Sequence, residues 1–237
     1  GMWEPGSQVL DDRFRIVSVV ASRHGTEAYL AEQMSLSRKV ILKVFRAEAG
    51  ARQVLGERFD EEVRRLATVD HPAVVRVIDT GRSGSTLFLV SELAEGPQLA
   101  DELQGEPLLP ERALELLTQA AGGLAAIHEK GLLHGELRPE TVVVAKTTRG
   151  EQVRLLDFGL AQLTEPPPAE SQAASVPGDL HAFGVLAYHL LAGVPPSRPL
   201  AKPLAEAAPH LADQLELCEW VMRCLDPEPS RRPSSAL

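Results

Sequence analysis

The spacing of apolar residues differs on the two sides of the linker Ala94–Pro97, and this limits the folds open to the chain. Before the linker, five short stretches have the alternation or the apolar runs typical of β-strands. They are Phe14–Val20, Glu27–Glu32, Lys39–Phe45, Val74–Ile78 and Leu87–Glu92. Glu57–Val69, in contrast, has apolar residues at a helical spacing. The first part therefore predicts a five-stranded sheet with one helix.

After the linker the pattern is mainly helical. Three long helices are predicted at Pro110–Lys130, Asp179–Ala192 and Leu211–Leu225, and Gly131 lies just past the end of the first. A small hairpin is predicted from Thr141–Val144 and Val153–Leu156. A part rich in predicted strands is therefore followed by a mainly helical part.

Composition excludes several classes of partner. The chain has 237 residues, a formal net charge of −9 and scattered basic residues, so nucleic acid and anionic membranes are not expected to bind it. Cys218 and Cys224 face different sides of a predicted helix and are expected to be reduced thiols. The longest apolar stretch, His181–Val194, is too short to span a bilayer. We therefore expect a cytoplasmic location and no membrane segment.

Short segments with a characteristic order carry the strongest functional signal. His134–Val144 reads His-Gly-Glu-Leu-Arg-Pro-Glu-Thr-Val-Val-Val and precedes a short predicted strand. The other segments are Val40–Lys43, Glu62, Val69–Pro72, Leu89–Leu93, Asp157–Gly159, Gly178–Gly184, Cys224–Pro227 and Ser230–Pro233. In this order and at nearly this spacing, they resemble the protein kinase family, and its bacterial Ser/Thr kinases in particular.

The resemblance implies an α+β, bilobal protein-kinase-like fold. Residues 1–94 would form the N-lobe, a five-stranded antiparallel sheet with the helix that the family calls αC. Residues 95–237 would form a mainly helical C-lobe, and the two lobes together would be one domain. The chain stops at Ser234–Leu237, where the family's final helix begins. We therefore expect that helix to be truncated and the chain to be cut from a longer protein.

The resemblance also implies a nucleotide site. Lys43 corresponds to the lysine that reaches the ATP phosphates, Glu62 to its glutamate partner, and Asp157 to a Mg²⁺ ligand. The corresponding hinge residues are Ser91, Glu92 and Leu93. A second interpretation stays open, because a Lys43–Glu62 pair and the Asp157–Gly159 turn also hold such a fold together without a nucleotide.

The His134–Val144 segment departs from the family pattern H-R-D-L-x-x-x-N at three positions. Glu136 replaces the catalytic Asp, and its extra methylene shifts a group whose misplacement by about 1 Å can cost on the order of a hundredfold in rate. Thr141 replaces the metal-binding Asn, and Gly135 replaces the Arg that binds a phosphorylated segment. Arg138 replaces the usual Lys. We expect Glu136, Lys43 and Arg138 to be the catalytic positions, with catalysis impaired.

The first predicted hairpin has lost the glycines of the family's phosphate-binding loop. Ala21, Arg23 and Thr26 stand at the three glycine positions of G-x-G-x-x-G. Glycine matters there because a bare backbone can approach phosphates. Beside the adenine, Ala28 replaces a Val of the family and Ile41 replaces an Ala, so one side chain is smaller and the other larger. This exchange either preserves a flat slot for the base or lets Ile41 fill that slot.

The segment between the two aspartates is short. Asp157 and Asp179 lie 22 positions apart, and the family typically needs roughly a dozen more for a full activation segment. No A-P-E sequence is present, although Glu170 is a candidate remnant that would pair with Arg232. We therefore expect a shortened activation segment and no platform for a peptide substrate.

These features predict a pseudokinase that acts in bacterial signalling as a protein-binding or regulatory module. No cofactor is expected to be required; ATP would bind weakly or not at all, with Mg²⁺ held by Asp157 and a degenerate metal position at Thr141. Its partner would be another protein or a neighbouring domain of a longer chain. Two alternatives stay open: a slow or atypical ATP-dependent transferase that uses Glu136, and a nucleotide sensor without turnover.

Overall fold

A computed structural model describes residues 3–23, 26–45, 52–160, 163 and 175–236 of the chain. They form two compact units that divide between Ala94 and Glu95, except that His71–Val74 belongs to the second unit and Leu163 to the first. The first unit contains a large antiparallel sheet and one long helix, and the second contains the other helices and a two-stranded sheet. The expected α+β class is therefore confirmed.

The sheet of the first unit has six strands rather than the predicted five. The strands are Gln8–Val9 (β1), Phe14–Arg23 (β2), Thr26–Gln33 (β3), Arg38–Phe45 (β4), Val77–Ser83 (β5) and Thr86–Glu92 (β6). Their order is β1-β2-β3-β4-β6-β5, and all neighbours are antiparallel. The additional strand, β1, has two residues, which is too short for an alternating pattern to reveal. The predicted strand at Val74–Ile78 was also misplaced, since β5 begins at Val77.

The two faces of this sheet pack differently because successive side chains of a strand point to opposite sides. One face carries the apolar core, with Tyr29 and Leu42 fully buried. The other face meets the helix Arg52–Leu66 (α1), whose Phe59 ring lies 5.1 Å from the ring of Phe45. Lys43 is two positions before Phe45 and therefore lies on the same face as it.

The second unit contains five helices among the described residues. They are Leu99–Glu102 (α2), Pro110–Glu129 (α3), Val176–Ala192 (α4), Leu204–Ala207 (α5) and Leu215–Cys224 (α6). Three short 3-10 turns lie at Pro139–Thr141, Pro209–Leu211 and Pro229–Arg231. The strands Val142–Thr147 (β7) and Gly150–Leu155 (β8) form the predicted hairpin.

Local sequence signals fix the ends of the two longest helices. Pro110 is the first residue of α3, and Gly131, with a φ of +69°, follows its end. Ser175 caps α4 by accepting a hydrogen bond on its side chain from the N–H of Gly178 at 3.0 Å. Gly193 ends α4 in the left-handed region, at a φ of +83°. These boundaries place the segment between α3 and β7 beside the first turn of α4.

The two cysteines are free and buried in α6. A Cβ added at Gly184 of α4 would lie 2.5 Å from the Cβ of Cys224, so the glycine allows the two helices to approach closely. Burial raises the pKa of the Cys224 thiol to about 12, and the group therefore stays protonated. Among the described residues, no helix is both long enough and apolar enough to cross a membrane.

Candidate functional site

The loop His134–Thr141 connects α3 to β7 and is held by one buried carboxylate. Asp179, in the first turn of α4, accepts hydrogen bonds from the backbone N–H groups of His134 at 2.8 Å and of Gly135 at 2.9 Å. Asp179 is only 1% exposed, so these donors replace the water that the carboxylate loses on folding. Asp179 therefore anchors the backbone of the loop.

Sequence reasoning missed a third donor to Asp179. The Nε2 atom of His128, in the last turn of α3, lies 2.7 Å from Oδ2 of Asp179. An ionised carboxylate only accepts hydrogen bonds, so Nε2 of His128 carries the proton. A histidine in the last turn of an apolar helix has no distinctive sequence signal, and only the structure identifies its partner.

Gly135 has a φ of +83°, a conformation that suits glycine. A residue with a Cβ adopts this left-handed region at a cost of about 1–2 kcal/mol. Gly135 also gives the loop no side chain at the position of the family's phosphate-binding Arg. The replacement therefore fits the backbone and removes a contact at the same time.

Thr141 uses its hydroxyl group within the loop. Its Oγ1 donates to the carbonyl oxygen of Glu136 at 2.8 Å, with the carbonyl oxygen of Arg138 also within reach at 3.1 Å. The same oxygen accepts a hydrogen bond from the backbone N–H of Arg138 at 3.2 Å. Thr141 is 2% exposed. The side chain at the metal-binding position therefore closes the loop instead of pointing to a ligand.

Glu136 and Arg138, the predicted catalytic residues of the loop, have few side-chain partners. The backbone N–H of Glu136 donates to Nδ1 of His134 at 3.1 Å, while its carboxylate forms no hydrogen bond or ion pair with any residue that the structure describes. The Arg138 side chain is 40% exposed, and its Nε lies 3.9 Å from a carboxylate oxygen of Glu140. Glu136 is half-buried, and its carboxylate is without a partner among the described residues.

The Asp157–Gly159 turn adopts an unusual backbone and contacts the loop. Asp157 has a φ of +65°, which is uncommon outside glycine but better tolerated by Asp than by most residues. Phe158 is buried, and the N–H of Gly159 donates to the carbonyl oxygen of His134 at 3.0 Å. The turn and the His134–Thr141 loop are therefore joined by a backbone hydrogen bond.

In the first unit, Lys43 lies on β4 between two neighbouring strands. It is 8% exposed, and its strand partners are Ala28 of β3 and Leu89 of β6. Glu62, on α1, accepts hydrogen bonds from Nη1 of Arg65 at 3.2 Å. Glu62 therefore has a partner within its own helix, and the Lys43–Glu62 pair stays a prediction.

The residues predicted to line the base and the hinge lie on the same two strands. Ile41, half-buried, is paired with Leu30 on one side and with Ser91 on the other. Ser91 is buried and small, so it leaves room beside the enlarged Ile41. Glu92 ends β6, and its Oε1 accepts a hydrogen bond from the N–H of Arg76 at 2.8 Å. Leu93 follows as a half-buried residue.

The first hairpin keeps its antiparallel ladder despite its lost glycines, with irregular pairing between Ile16 and Ser18 and between Val19 and Ala21. Ala21 is paired with Ala28, and Arg23 with Thr26, up to the end of the hairpin. Its tip, at residues 24–25, lies outside the described part of the chain. The three replacements at the glycine positions are therefore compatible with an ordinary antiparallel pairing.

Only one residue of the predicted Glu170–Arg232 pair, Arg232, lies in the described part of the chain. Arg232 donates from Nη1 to the carbonyl oxygen of Pro177 at 2.9 Å and from Nε to that of Asp226 at 2.9 Å. Glu170, its predicted partner, lies outside the described residues. Arg232 therefore attaches the C-terminal part of the chain to the start of α4.

Comparison with known proteins defines the family. The model of the protein kinase domain matches residues 24–176, which is more than half of the chain. The chain belongs to the protein kinase family, and its fold has the sheet-rich N-lobe and helical C-lobe of that family.

Named relatives are bacterial Ser/Thr kinases. The chain is 44% identical over 269 aligned positions to the serine/threonine-protein kinase pkn2 of Myxococcus xanthus, covering 99% of this chain and 32% of the relative. It is 26% identical to PknB of Mycobacterium tuberculosis, covering 96% of this chain and 42% of that protein. The chain thus spans less than half the length of either relative. Both are longer proteins, and their activities as whole proteins do not transfer directly to this chain.

Solved structures agree with the fold. The crystal structure of the PknI kinase domain of Mycobacterium tuberculosis is similar with a TM-score of 0.75 and 29% identity, covering 97% of this chain and 94% of that domain. A double mutant of the same domain gives a TM-score of 0.77 at 27% identity, covering 100% of this chain and 95% of that one.

Kinases of this family normally use ATP with Mg²⁺, which neutralises charge on the transferred phosphate. The described residues fit this requirement incompletely. Asp157 offers a carboxylate, the oxygen ligand that Mg²⁺ prefers. Thr141 does not fit, because its only side-chain oxygen is buried and already hydrogen-bonded within the loop. Within the described part of the chain, no group of three His, Cys, Asp or Glu side chains could hold a metal.

Proposed function

We propose that this chain is a pseudokinase domain, in which residues 1–94 form the N-lobe and residues 95–237 the C-lobe. It acts in the cytoplasm as a protein-binding or regulatory module, with a protein partner or a neighbouring domain of a longer chain. Phosphoryl transfer is impaired, no cofactor is required, and ATP binds weakly or not at all.

The inward-facing Thr141 hydroxyl is the observation that carries this proposal. Its proton goes to the carbonyl of Glu136 and one of its two lone pairs to the N–H of Arg138, and the residue is buried, so little remains for a metal ion. The lengthened Glu136 and the missing hairpin glycines act in the same direction. Their combination argues more strongly against efficient transfer than any one replacement does.

The lengths of the alignments show that this chain lacks residues that a named relative has, as a shortened activation segment would require. The alignment with pkn2 covers 269 positions, although this chain has only 237 residues, so the relative carries at least 32 residues without a counterpart here. A domain without a platform for a peptide substrate would not need its catalytic residues, which would explain why these residues are replaced while the fold is kept.

A slow or atypical transferase that uses Glu136 is the second candidate. In its favour, the Glu136 carboxylate is half-buried and has no partner among the described residues, and Lys43 and Asp157 are intact. The similarity to a named serine/threonine kinase at 44% identity favours it as well. A nucleotide sensor without turnover is the third candidate, since Lys43, Glu62 and Asp157 suffice for weak binding.

A single-turnover assay at high protein concentration separates these candidates. We expect no transfer of labelled phosphate from ATP, with Mg²⁺ or Mn²⁺, to generic protein substrates or to the chain itself. Labelling that disappears in both Glu136→Ala and Asp157→Ala would establish the slow transferase. Titration calorimetry tests the sensor: we expect an ATP dissociation constant on the order of 0.1–1 mM, and low micromolar binding without turnover would favour the sensor.

A further inference from the structure

Two arginines in the acidic half of the chain have no acidic partner. Residues 95–237 contain 20 acidic and 11 basic residues, a net charge of −9, whereas residues 1–94 contain 13 of each. Arg198 and Arg232 nevertheless form no ion pair with any carboxylate that the structure describes. Because carboxylates are in excess around them in sequence, two arginines left without one require an explanation.

One face of α4 carries a histidine next to the first of these arginines. Pro177, His181 and Tyr188 follow one another at intervals of four and seven positions, so they lie on the same side of the helix. Nη1 of Arg232 donates to the carbonyl oxygen of Pro177 at 2.9 Å. The guanidinium group of Arg232 therefore lies against the first turn of α4, one turn before His181.

The segment after α4 returns to the same face of the helix. The hydroxyl of Tyr188 donates to the carbonyl oxygen of Lys202 at 2.7 Å, and the hydroxyl of Ser197 donates to the carbonyl oxygen of Leu200 at 3.0 Å. The first bond ties the end of the segment to α4, and the second closes a turn that contains Arg198. Arg198 is exposed, so its guanidinium group is accessible from solvent.

Electrostatics also place both arginines near His181. Burial lowers the pKa of the half-buried His181, and the positive charges of Arg232 and Arg198 lower this pKa further. No other charged group on α4 or on the elements packed against it shifts this pKa, including His128, Asp179, Glu206, Arg223, Glu228 and Arg231. The imidazole is therefore neutral near pH 7, between two permanent positive charges.

The basic cluster, defined as His181, Arg198 and Arg232, retains hydrogen-bond donors that no described residue uses. Arg232 donates from Nη1 and from Nε, the latter to the carbonyl oxygen of Asp226 at 2.9 Å, which leaves its Nη2 group without a partner among the described residues. The carboxylate of Asp226 is directed elsewhere, since its Oδ1 accepts the N–H of Glu228 at 2.8 Å. The planar fork of a guanidinium group suits the oxygens of a phosphate.

We propose that His181, Arg198 and Arg232 form a binding site for a dianionic phosphate group, carried by a phosphorylated protein segment or present as free phosphate. The arginines supply charge and N–H donors. His181 takes up a proton when the dianion binds, because the bound negative charge offsets the effect of the two arginines. Two permanent positive charges and a third that forms on binding match a dianion better than a singly charged carboxylate. The cluster shares no side chain with the candidate functional site, and the proposal does not depend on whether the chain transfers phosphate.

NMR titration of the 237-residue chain with inorganic phosphate tests the proposal. We expect saturable shifts of the His181 imidazole resonances, with a dissociation constant on the order of 1–10 mM. Sulfate is the companion probe, because it stays a dianion over the pH range in which phosphate changes its charge. Sulfate should bind at least about threefold more tightly near pH 6 than near pH 8, and the pKa of His181 should rise when sulfate is bound.

Two variants and a matched control assign the binding to the cluster. Arg198→Gln removes an exposed charge without a described partner, so it should leave the fold intact and weaken phosphate binding at least about fivefold. Arg149→Gln removes an exposed charge in the turn between β7 and β8 and should leave the affinity unchanged. His181→Gln should keep part of the affinity for sulfate but remove its dependence on pH.

A phosphoserine peptide and its unphosphorylated counterpart identify the source of the phosphate group. A phosphopeptide that binds at least about fivefold more tightly than inorganic phosphate would identify a phosphorylated protein segment, and equal affinities would identify free phosphate. Equal binding of the two peptides would overturn the proposal, as would an absence of phosphate binding up to about 50 mM or an affinity that Arg198→Gln leaves unchanged. Binding that is seen only in Glu170→Gln would show that a carboxylate of the chain itself fills the cluster, and would overturn the proposal as well.

Discussion

The His134–Thr141 loop and the β2–β3 hairpin have both lost the residues that serve chemistry in this family, but they are held in different ways. The hairpin is held by a strand ladder and by an apolar core, in which Tyr29 is fully buried. The loop is held by a buried carboxylate, a histidine and a hydroxyl. A ladder needs no particular side chain at the glycine positions, whereas the loop depends on a few specific polar groups. The hairpin should therefore tolerate substitution, and the loop should not.

The largest effect should come from removing the anchor of the loop. Asp179→Ala leaves two backbone N–H groups and His128 without their acceptor, and we expect the free energy of unfolding to fall by about 3 kcal/mol or more. Denaturant unfolding measures this change. Asp213→Ala, at an exposed position in the same unit, is the control and should stay within about 0.5 kcal/mol. Equal effects of the two substitutions would show that the anchor is dispensable.

A smaller loss of stability is expected at Lys43, one of the buried polar residues of the first unit. If Lys43 pairs with Glu62 as the sequence predicts, Lys43→Met leaves that carboxylate without its counter-charge, and we expect a loss of about 2–3 kcal/mol in the absence of nucleotide. Lys39→Met, at an exposed position of the same strand, is the matched control. If stability is unchanged but the thermal response to ATP is lost, Lys43 serves ligand binding and the sensor hypothesis becomes the preferred one.

Two Gly→Ala substitutions should change the free energy of unfolding in opposite directions. Gly135→Ala places a Cβ on a residue with a φ of +83°, and thermal or denaturant unfolding should show a loss of about 1–2 kcal/mol. Gly122→Ala makes the same chemical change inside α3, where the nearest atom to the new Cβ is 3.4 Å away, and it should stabilise by about 0.5–1 kcal/mol. A neutral Gly135→Ala would mean that the loop backbone adjusts more freely than its hydrogen bonds indicate.

The smallest change in stability should be found in the hairpin. Ala21→Gly restores the first glycine position in an exposed strand and should cost about 0.5–1 kcal/mol of unfolding free energy. If the missing glycines limit ATP binding, calorimetry should show a severalfold gain in affinity for this variant. Ser22→Gly, at the neighbouring exposed position, should cost a similar amount of stability without that gain. Equal ATP affinities in the two variants would remove the hairpin as the cause of weak binding.

Much of the fold could be predicted because its elements carry strong local signals. Pro110 marks the start of a helix by backbone chemistry, and the predicted helix at Pro110–Lys130 differs from α3 by one residue. The helix predicted at Asp179–Ala192 begins three residues earlier, at Val176, because Ser175 caps it with its side chain. Short elements were predicted less well. β1 pairs only two residues with β2, and β5 is shifted from Val74–Ile78 to Val77–Ser83, because pairing with β6 decides where an apolar run becomes a strand.

The sequence by itself determined the family, the segregation of strands and helices, and the positions where the usual chemistry is altered, since these depend on residue types in a fixed order. Only the tertiary structure decided where Thr141 directs its hydroxyl and that His128 is the third donor to Asp179. Hydrogen bonds between side chains depend on distances of a few tenths of an ångström and on burial. Those quantities arise from packing among residues that are far apart in the chain, such as His128 and Asp179, and no local pattern encodes them.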